Sequence, residues 1–193
     1  MSEKVCFATS NLNKFEEVSE IARSYSIDLE LCSAPKIEVQ GENLREIVLK
    51  SAILAYFYCN KPVLVEDAGL FIKALNGFPG PYSNYVYKTI GINGVLKLLE
   101  NVENREACFK SSAALVYENG IIIGEGEVCG YIVRSPRGSW GFGFDPIFTP
   151  QGEIRTFAEM TTSEKNKYSH RAKAVSRVFE KYLELMRTTK SSF

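Results

Sequence analysis

The sequence predicts an α/β fold built on a mixed, twisted sheet with flanking helices, its loops gathered along a cleft. Three observations predict it. Val5–Thr9 is a short apolar run, followed by turn residues, a helix-spaced segment and a second alternating run. A helix with one apolar face, Leu44–Tyr58, leads through Pro62 into another apolar strand. Later, two strand-like segments face each other across Glu118-Asn119-Gly120. A β-turn-α-β opening calls for parallel pairing and a hairpin for antiparallel pairing, so the sheet is mixed.

In chain order, Phe15, Val18, Ile21 and Ala22 recur at helical spacing within Lys14–Tyr25. Asp28–Ser33 alternates and reads as a strand. In the next helix Leu44, Ile47, Val48, Ser51, Ala52, Ala55 and Tyr56 share a face. Asn43 is its expected N-cap, with Glu46 placed for a capping box. Val63 to Asp67 is a strand, expected to break at Gly69. Asn76–Pro81 is a rigid Gly/Pro loop, and helical pieces follow near Tyr82–Ile90 and Gly94–Glu100. Cys108–Tyr117 and Ile121–Val133 form the hairpin, since Asn-Gly is a strong turn signal. Gly138–Thr149 is a second loop. The last helix runs from Ser169 to about Met186, with Ala172, Val175, Val178, Phe179 and Leu183 inward, and frays from Thr188.

The 193 residues suffice for one sizeable domain or two small lobes sharing a core; without repeat or linker, 1–193 reads as a single α/β domain. Lys plus Arg and Asp plus Glu are 23 each, a neutral balance that counts against a sequence-independent nucleic-acid binder. No apolar run approaches a membrane span of about 20 residues, and the N-terminus carries no signal-like stretch. The five cysteines include no CxxC pair, which argues against a cysteine zinc site and for buried free thiols. A cytoplasmic location is expected.

Four segments carry candidate chemistry. Thr9-Ser10-Asn11-Leu12-Asn13-Lys14 lies between a strand and a helix start, where backbone N–H groups, hydroxyls, an amide and a lysine can meet phosphate; taken alone, it reads better as a polar turn with a capping Asn. Glu66-Asp67 ends an apolar strand and could hold Mg2+, with Glu38 in a loop as a third carboxylate. Adjacent strand residues face opposite ways, so sharing one ion requires a bend. Trp140, Phe142 and Phe144, spaced by Gly141 and Gly143 ahead of Asp145-Pro146, could stack a flat base; aromatic residues in such a loop are more often core. Glu164-Lys165-Asn166-Lys167-Tyr168-Ser169-His170-Arg171 holds the chain's single histidine, and Ser169 could simply cap the last helix.

In this order the segments resemble the inosine/xanthosine triphosphate pyrophosphatase family. The matching stretches are Phe7–Lys14, Val65–Leu70, Ala74–Ser83, Gly141–Phe148, and Thr156–Met160 running on to Ser169–Arg171, which together cover almost the whole chain. The resemblance implies two lobes around a central cleft, a homodimer, and Mg2+-dependent cleavage of non-standard purine nucleoside triphosphates to monophosphate and pyrophosphate. It implies that Thr9, Ser10, Asn11, Asn13 and Lys14 grip the triphosphate, and that Glu38, Glu66 and Asp67 hold Mg2+. Asp67 would be the general base. Phe142, Gly143, Phe144 and Asp145 would frame base and sugar, and Lys165, Ser169, His170 and Arg171 would read the purine edge. Many relatives have Asp-Asp-Ser-Gly where this chain has Glu66-Asp67-Ala68-Gly69, so a contact at Ala68 must come from backbone N–H. A Maf-type pyrophosphatase acting on pyrimidine or modified nucleotides, and a non-catalytic nucleotide-binding protein, are the alternatives.

Overall fold

The computed structural model describes residues 3–32 and 39–190. The chain opens β1 (Glu3–Phe7), α1 (Leu12–Ser24), β2 (Ile27–Leu31), α2 (Leu44–Cys59) and β3 (Val63–Ile72). A two-residue strand β4 (Pro79–Gly80) and short helices α3 (Ser83–Thr89) and α4 (Gly91–Leu98) follow. The long hairpin β5 (Glu106–Tyr117) and β6 (Gly120–Ile132) comes next, then β7 (Phe148–Pro150), α5 (Thr162–Asn166) and α6 (His170–Lys190). One sheet orders these strands β2-β1-β3-β5-β6-β7, with β4 beside β3. β1 pairs in parallel with β2 and β3; the remaining pairs are antiparallel. The mixed sheet follows from that arrangement.

Alternation along the central strands divides the core. Val5, Phe7, Leu64, Ala113 and Leu115 face α1 and α6, where they meet Val18, Ile21, Val175, Val178 and Phe179. Their neighbours Cys6, Val63, Val65, Ala114 and Val116 face α2 and its Val48, Ala52 and Ala55. The far ends of β3, β5 and β6 belong to a second core, with Leu70, Ile72, Phe109 and Val128 packed against Phe144, Phe148 and Phe157. Three long strands therefore run through both halves, and the cleft lies where the halves meet.

Several expectations need correction. β3 does not break at Gly69 but continues to Ile72, paired with β5 throughout. The glycine is needed for a close approach: a Cβ there would sit 2.2 Å from the Gly80 carbonyl oxygen of β4. The hairpin turn is Glu118-Asn119, because Tyr117 already pairs with Gly120. Asn43 caps α2 by accepting from the Arg45 N–H (2.9 Å), while Glu46 sits 3.7 Å from Lys50, so the cap is single rather than a reciprocal box. α6 runs on past Thr188 to Lys190. The cysteines differ most: Cys108 is bonded to Cys129 and Cys32 to Cys59, leaving Cys6 free. Cys108 and Cys129 are direct partners in the β5–β6 register, so their separation of 21 residues is simply the hairpin between them.

Candidate active site

α1 begins at Asn11, whose side-chain oxygen accepts from the N–H groups of Asn13 (3.0 Å) and Lys14 (3.3 Å). The Thr9 hydroxyl oxygen in turn accepts from the Asn11 N–H at 3.1 Å. This small network fixes the helix start at the cleft and directs Lys14 across it. The Lys14 Nζ lies 3.0 Å from a Glu66 carboxylate oxygen and 3.4 Å from Asp67 Oδ1, and donates to the Glu66 carbonyl at 3.2 Å.

Glu66 and Asp67 are neighbours on β3 with opposite circumstances. The Glu66 side chain is fully buried; the Ser111 hydroxyl donates to it at 2.6 Å and Arg171 Nε forms an ion pair with it at 3.1 Å. Burial opposes its charge, but Arg171 and Lys14, with help from Ser111, hold its pKa well below the usual carboxylate range. Asp67 keeps 33% of its side chain exposed and faces the cleft. Glu66 was expected as a metal ligand with Asp67; its oxygens are instead occupied by two cations and a hydroxyl. Glu38, the third expected ligand, lies outside the described residues.

A dense buried ion network joins Glu66 through Arg171. Lys165 Nζ donates to Glu17 (2.7 Å) and Asp145 (2.6 Å), and Arg171 bonds the other Glu17 oxygen. Burial pushes the Glu17 carboxyl up, but Arg171 and Lys165 outweigh it and the pKa is lowered. At Asp145 burial wins over Lys165, and Glu17 adds to it, so its pKa is raised. Arg171 is pushed down by burial and up more strongly by Glu66 and Glu17, which holds it charged. His170 is buried, stacked on Phe109 with ring centroids 4.8 Å apart and planes 10° apart, and its Nδ1 has no protein partner. Burial and then Arg171 drive its pKa well below 6.5, so the ring is neutral.

One glycine-dependent contact and two side-chain hydrogen bonds hold this wall in place. A Cβ on Gly126 of β6 would lie 2.1 Å from the His170 carbonyl oxygen, so only a bare backbone lets the start of α6 settle onto the sheet. Ser169 accepts from the Ala172 N–H at 3.0 Å and is the α6 cap. The Phe142-Gly-Phe-Asp145 turn is tied by its own carboxylate, Asp145 accepting from the Phe142 N–H at 2.9 Å.

These segments enclose a cleft of about 1000 Å3 lined by Thr9, Ser10, Asn11, Asn13, Lys14, Glu66, Asp67, Ala68, Phe142, Gly143, Phe144, Asp145, Lys165, His170 and Arg171. Ser169 is fully buried beneath this surface as a cap. The three expected stacking aromatics separate: Trp140 is 61% exposed and does not line the cleft, and Phe144 is core, edge-on to Tyr87. Phe142 remains at the wall with Lys165 and Arg171 over its ring. Sequence reasoning missed Glu17, Ser111 and the α3 tyrosines Tyr85 and Tyr87, which also line the cleft. Glu17 left one signal, an acidic side chain one turn before Ile21 on the apolar face of α1.

A family model described as the Ham1 family matches residues 5–181. The chain belongs to the Ham1 family. It is 54% identical over 170 residues to a dITP/XTP pyrophosphatase of Hyperthermus butylicus, covering 88% of this chain and 90% of that protein. It is 50% identical over 183 residues to a dITP/XTP pyrophosphatase of Saccharolobus solfataricus, covering 94% of each. The solved HAM1 protein of Coxiella burnetii superposes with a TM-score of 0.83 at 33% identity, covering 94% of this chain and 99% of that one. The mixed sheet and the cleft between two halves are thus a family architecture.

Proposed function

We propose that this Ham1-family chain hydrolyses non-standard purine nucleoside triphosphates such as dITP and XTP to the monophosphate and pyrophosphate. One observation carries the reading: Lys14, Asp67, His170 and Arg171, from three distant stretches, line one cleft, in a chain about half identical to two dITP/XTP pyrophosphatases. The start of α1 binds the phosphates through the Thr9, Ser10 and Lys14 side chains, at the positive end of the helix dipole. Asp67, the open carboxylate, orients the attacking water and accepts its proton, and attack falls at the α-phosphorus.

Mg2+ is part of the proposal. Among the described residues no three carboxylates converge, but Mg2+ needs only one or two together with phosphate oxygens, which Asp67 fits and Glu66 does not. When bound it would neutralise charge on the leaving pyrophosphate.

Recognition of the base rests on the buried wall. Arg171 has five N–H donors and its ion pairs take only part of them, leaving a donor for the 6-carbonyl of hypoxanthine or xanthine. Adenine presents an amine there, and donor facing donor in a buried polar site is worth up to about 10⁴–10⁵ in specificity. His170, held neutral and with Nδ1 unpaired, offers a second polar contact.

We extend the proposal to a homodimer, supported by the exposed Phe57 and Tyr58 on α2, to a cytoplasmic location, and to residues 1–193 acting as one unit. Among the described residues no helix is long and apolar enough to cross a membrane. The location follows from where nucleoside triphosphates are found, since the disulfides remove the argument from free thiols. The test is product analysis with Mg2+ on dITP, XTP, ATP, dTTP and UTP. Inosine and xanthosine nucleotides should yield monophosphate plus pyrophosphate far faster than ATP. Equal rates on ITP and ATP would remove the selection model, and a preference for UTP or dTTP would favour Maf-type chemistry.

A further inference from the structure

Cys6 in β1, Cys32 just past β2 and Cys59 at the end of α2 are separated by 26 and 27 positions, yet their sulfur atoms all lie within 4.8 Å of one another. Two of them, Cys32 and Cys59, form a disulfide, and the third is a free, buried thiol. The parallel β1–β2 register and the packing of α2 over β1 create this meeting. Spacing along the chain gave no hint of it. Cys32 also lines the cleft described above, so the cluster adjoins the cleft wall.

We propose that reduction converts this cluster into a three-thiolate site for a soft or borderline d10 metal ion of the Zn2+, Cd2+ or Cu+ class. A thiol reductant supplies the two electrons: the Cys32–Cys59 bond and two molecules of RSH become two cysteine thiols and one RSSR. The three thiols then release protons as they bind the ion, because the thiolate is the ligand. All-sulfur donor sets select soft ions over Mg2+ or Ca2+, so the site does not compete for the hard cation proposed at Asp67. Lys61, two residues beyond Cys59, and its ion-pair partner Glu30 both act on the Cys6 thiol, in opposite senses, so among the described residues the cluster has no net counter-charge beyond the bound ion itself.

The other sulfur group, Cys108, Cys129 and Glu127, offers only two sulfurs and an exposed carboxylate on the sheet surface. It is the control. Full-length protein carrying Cys108→Ser and Cys129→Ser, reduced and desalted without oxygen, is titrated with Cd2+ while the thiolate-to-metal charge-transfer absorbance is followed. One ion per chain with that band is expected, and the same protein left oxidised should not show it. Cys6→Ser in this background should weaken binding tenfold or more, since even removing a hydrogen-bond partner of a ligand costs roughly 10- to 100-fold. Circular dichroism checks that each variant is folded; should the double variant not fold, reduced and oxidised wild-type chain with and without Cys6→Ser give the same comparison. Absence of the band in reduced protein, or a Cys6→Ser effect below tenfold, overturns the proposal.

Discussion

The two walls of the cleft are built on opposite electrostatic plans. On the side proposed to bind the phosphates, Lys14 and Asp67 stay partly open, and Asp67 keeps a third of its side chain in solvent. On the side proposed to read the base, Glu17, Asp145 and Glu66 are buried with Lys165 and Arg171 at 2.5–3.1 Å, and Lys14 reaches over from the open side to supply the third positive charge, 3.0 Å from Glu66. An exposed carboxylate can exchange water and metal during turnover. A buried pair cannot, because uncovering either charge costs several kcal/mol. On the proposed function, chemistry is left to the open wall, while the buried wall supplies a fixed surface whose charges are paired before substrate arrives.

That division can be broken experimentally, and the largest effect belongs to the open wall. Asp67→Asn is expected to lower kcat by roughly 10²–10⁴-fold, the usual worth of a general base, with little change in denaturant midpoint. Loss of less than tenfold at saturating Mg2+ would remove Asp67 from the role. On the buried wall the leading effect should be stability. Glu17→Gln leaves Lys165 and Arg171 undercompensated and should cost about 3–5 kcal/mol in urea unfolding. A cost below about 1 kcal/mol would mean the network relaxes freely and the wall is not preset.

A pH experiment sharpens the same contrast. The folded pKa of His170 lies well below 6.5, so the unfolded chain binds the proton first on acidification. Stability should therefore fall as pH drops below about 6.5, by up to about 1.4 kcal/mol per pH unit. Asp145, raised by burial, works in the opposite sense, since the folded state then holds the proton more readily. The difference between wild type and His170→Gln isolates the histidine, the chain's only one; parallel pH–stability curves would contradict its being buried neutral. The smallest effect is expected from Trp140→Ala, within about twofold in KM for ITP, because that side chain stands outside the cleft. A large rise in KM would mean that the loop folds over bound nucleotide.

Local signals in the sequence carried much of this architecture. Asn43 before an amphipathic face marked α2 within a residue or two, and Asn119-Gly120 marked the hairpin, whose second strand begins at Gly120 rather than at the expected Ile121. Gly69 misled because a strand glycine signals either a break or a close approach, and only the position of β4 decides between them. The Thr9–Lys14 loop was legible because strand, turn and helix cap are contiguous. Glu17 and Ser111 were not, since their partners lie 148 and 45 residues away. The disulfides were hidden for the same reason: Cys108 and Cys129 meet through strand register rather than through any motif.

The division of labour is tested most directly by calorimetric binding of ITP and ATP to the slow Asp67→Asn protein. If the buried wall alone reads the base, this variant keeps the wild-type preference for ITP over ATP in Kd while turnover falls. If the preference collapses together with kcat, the two walls act as one unit and the account is contradicted.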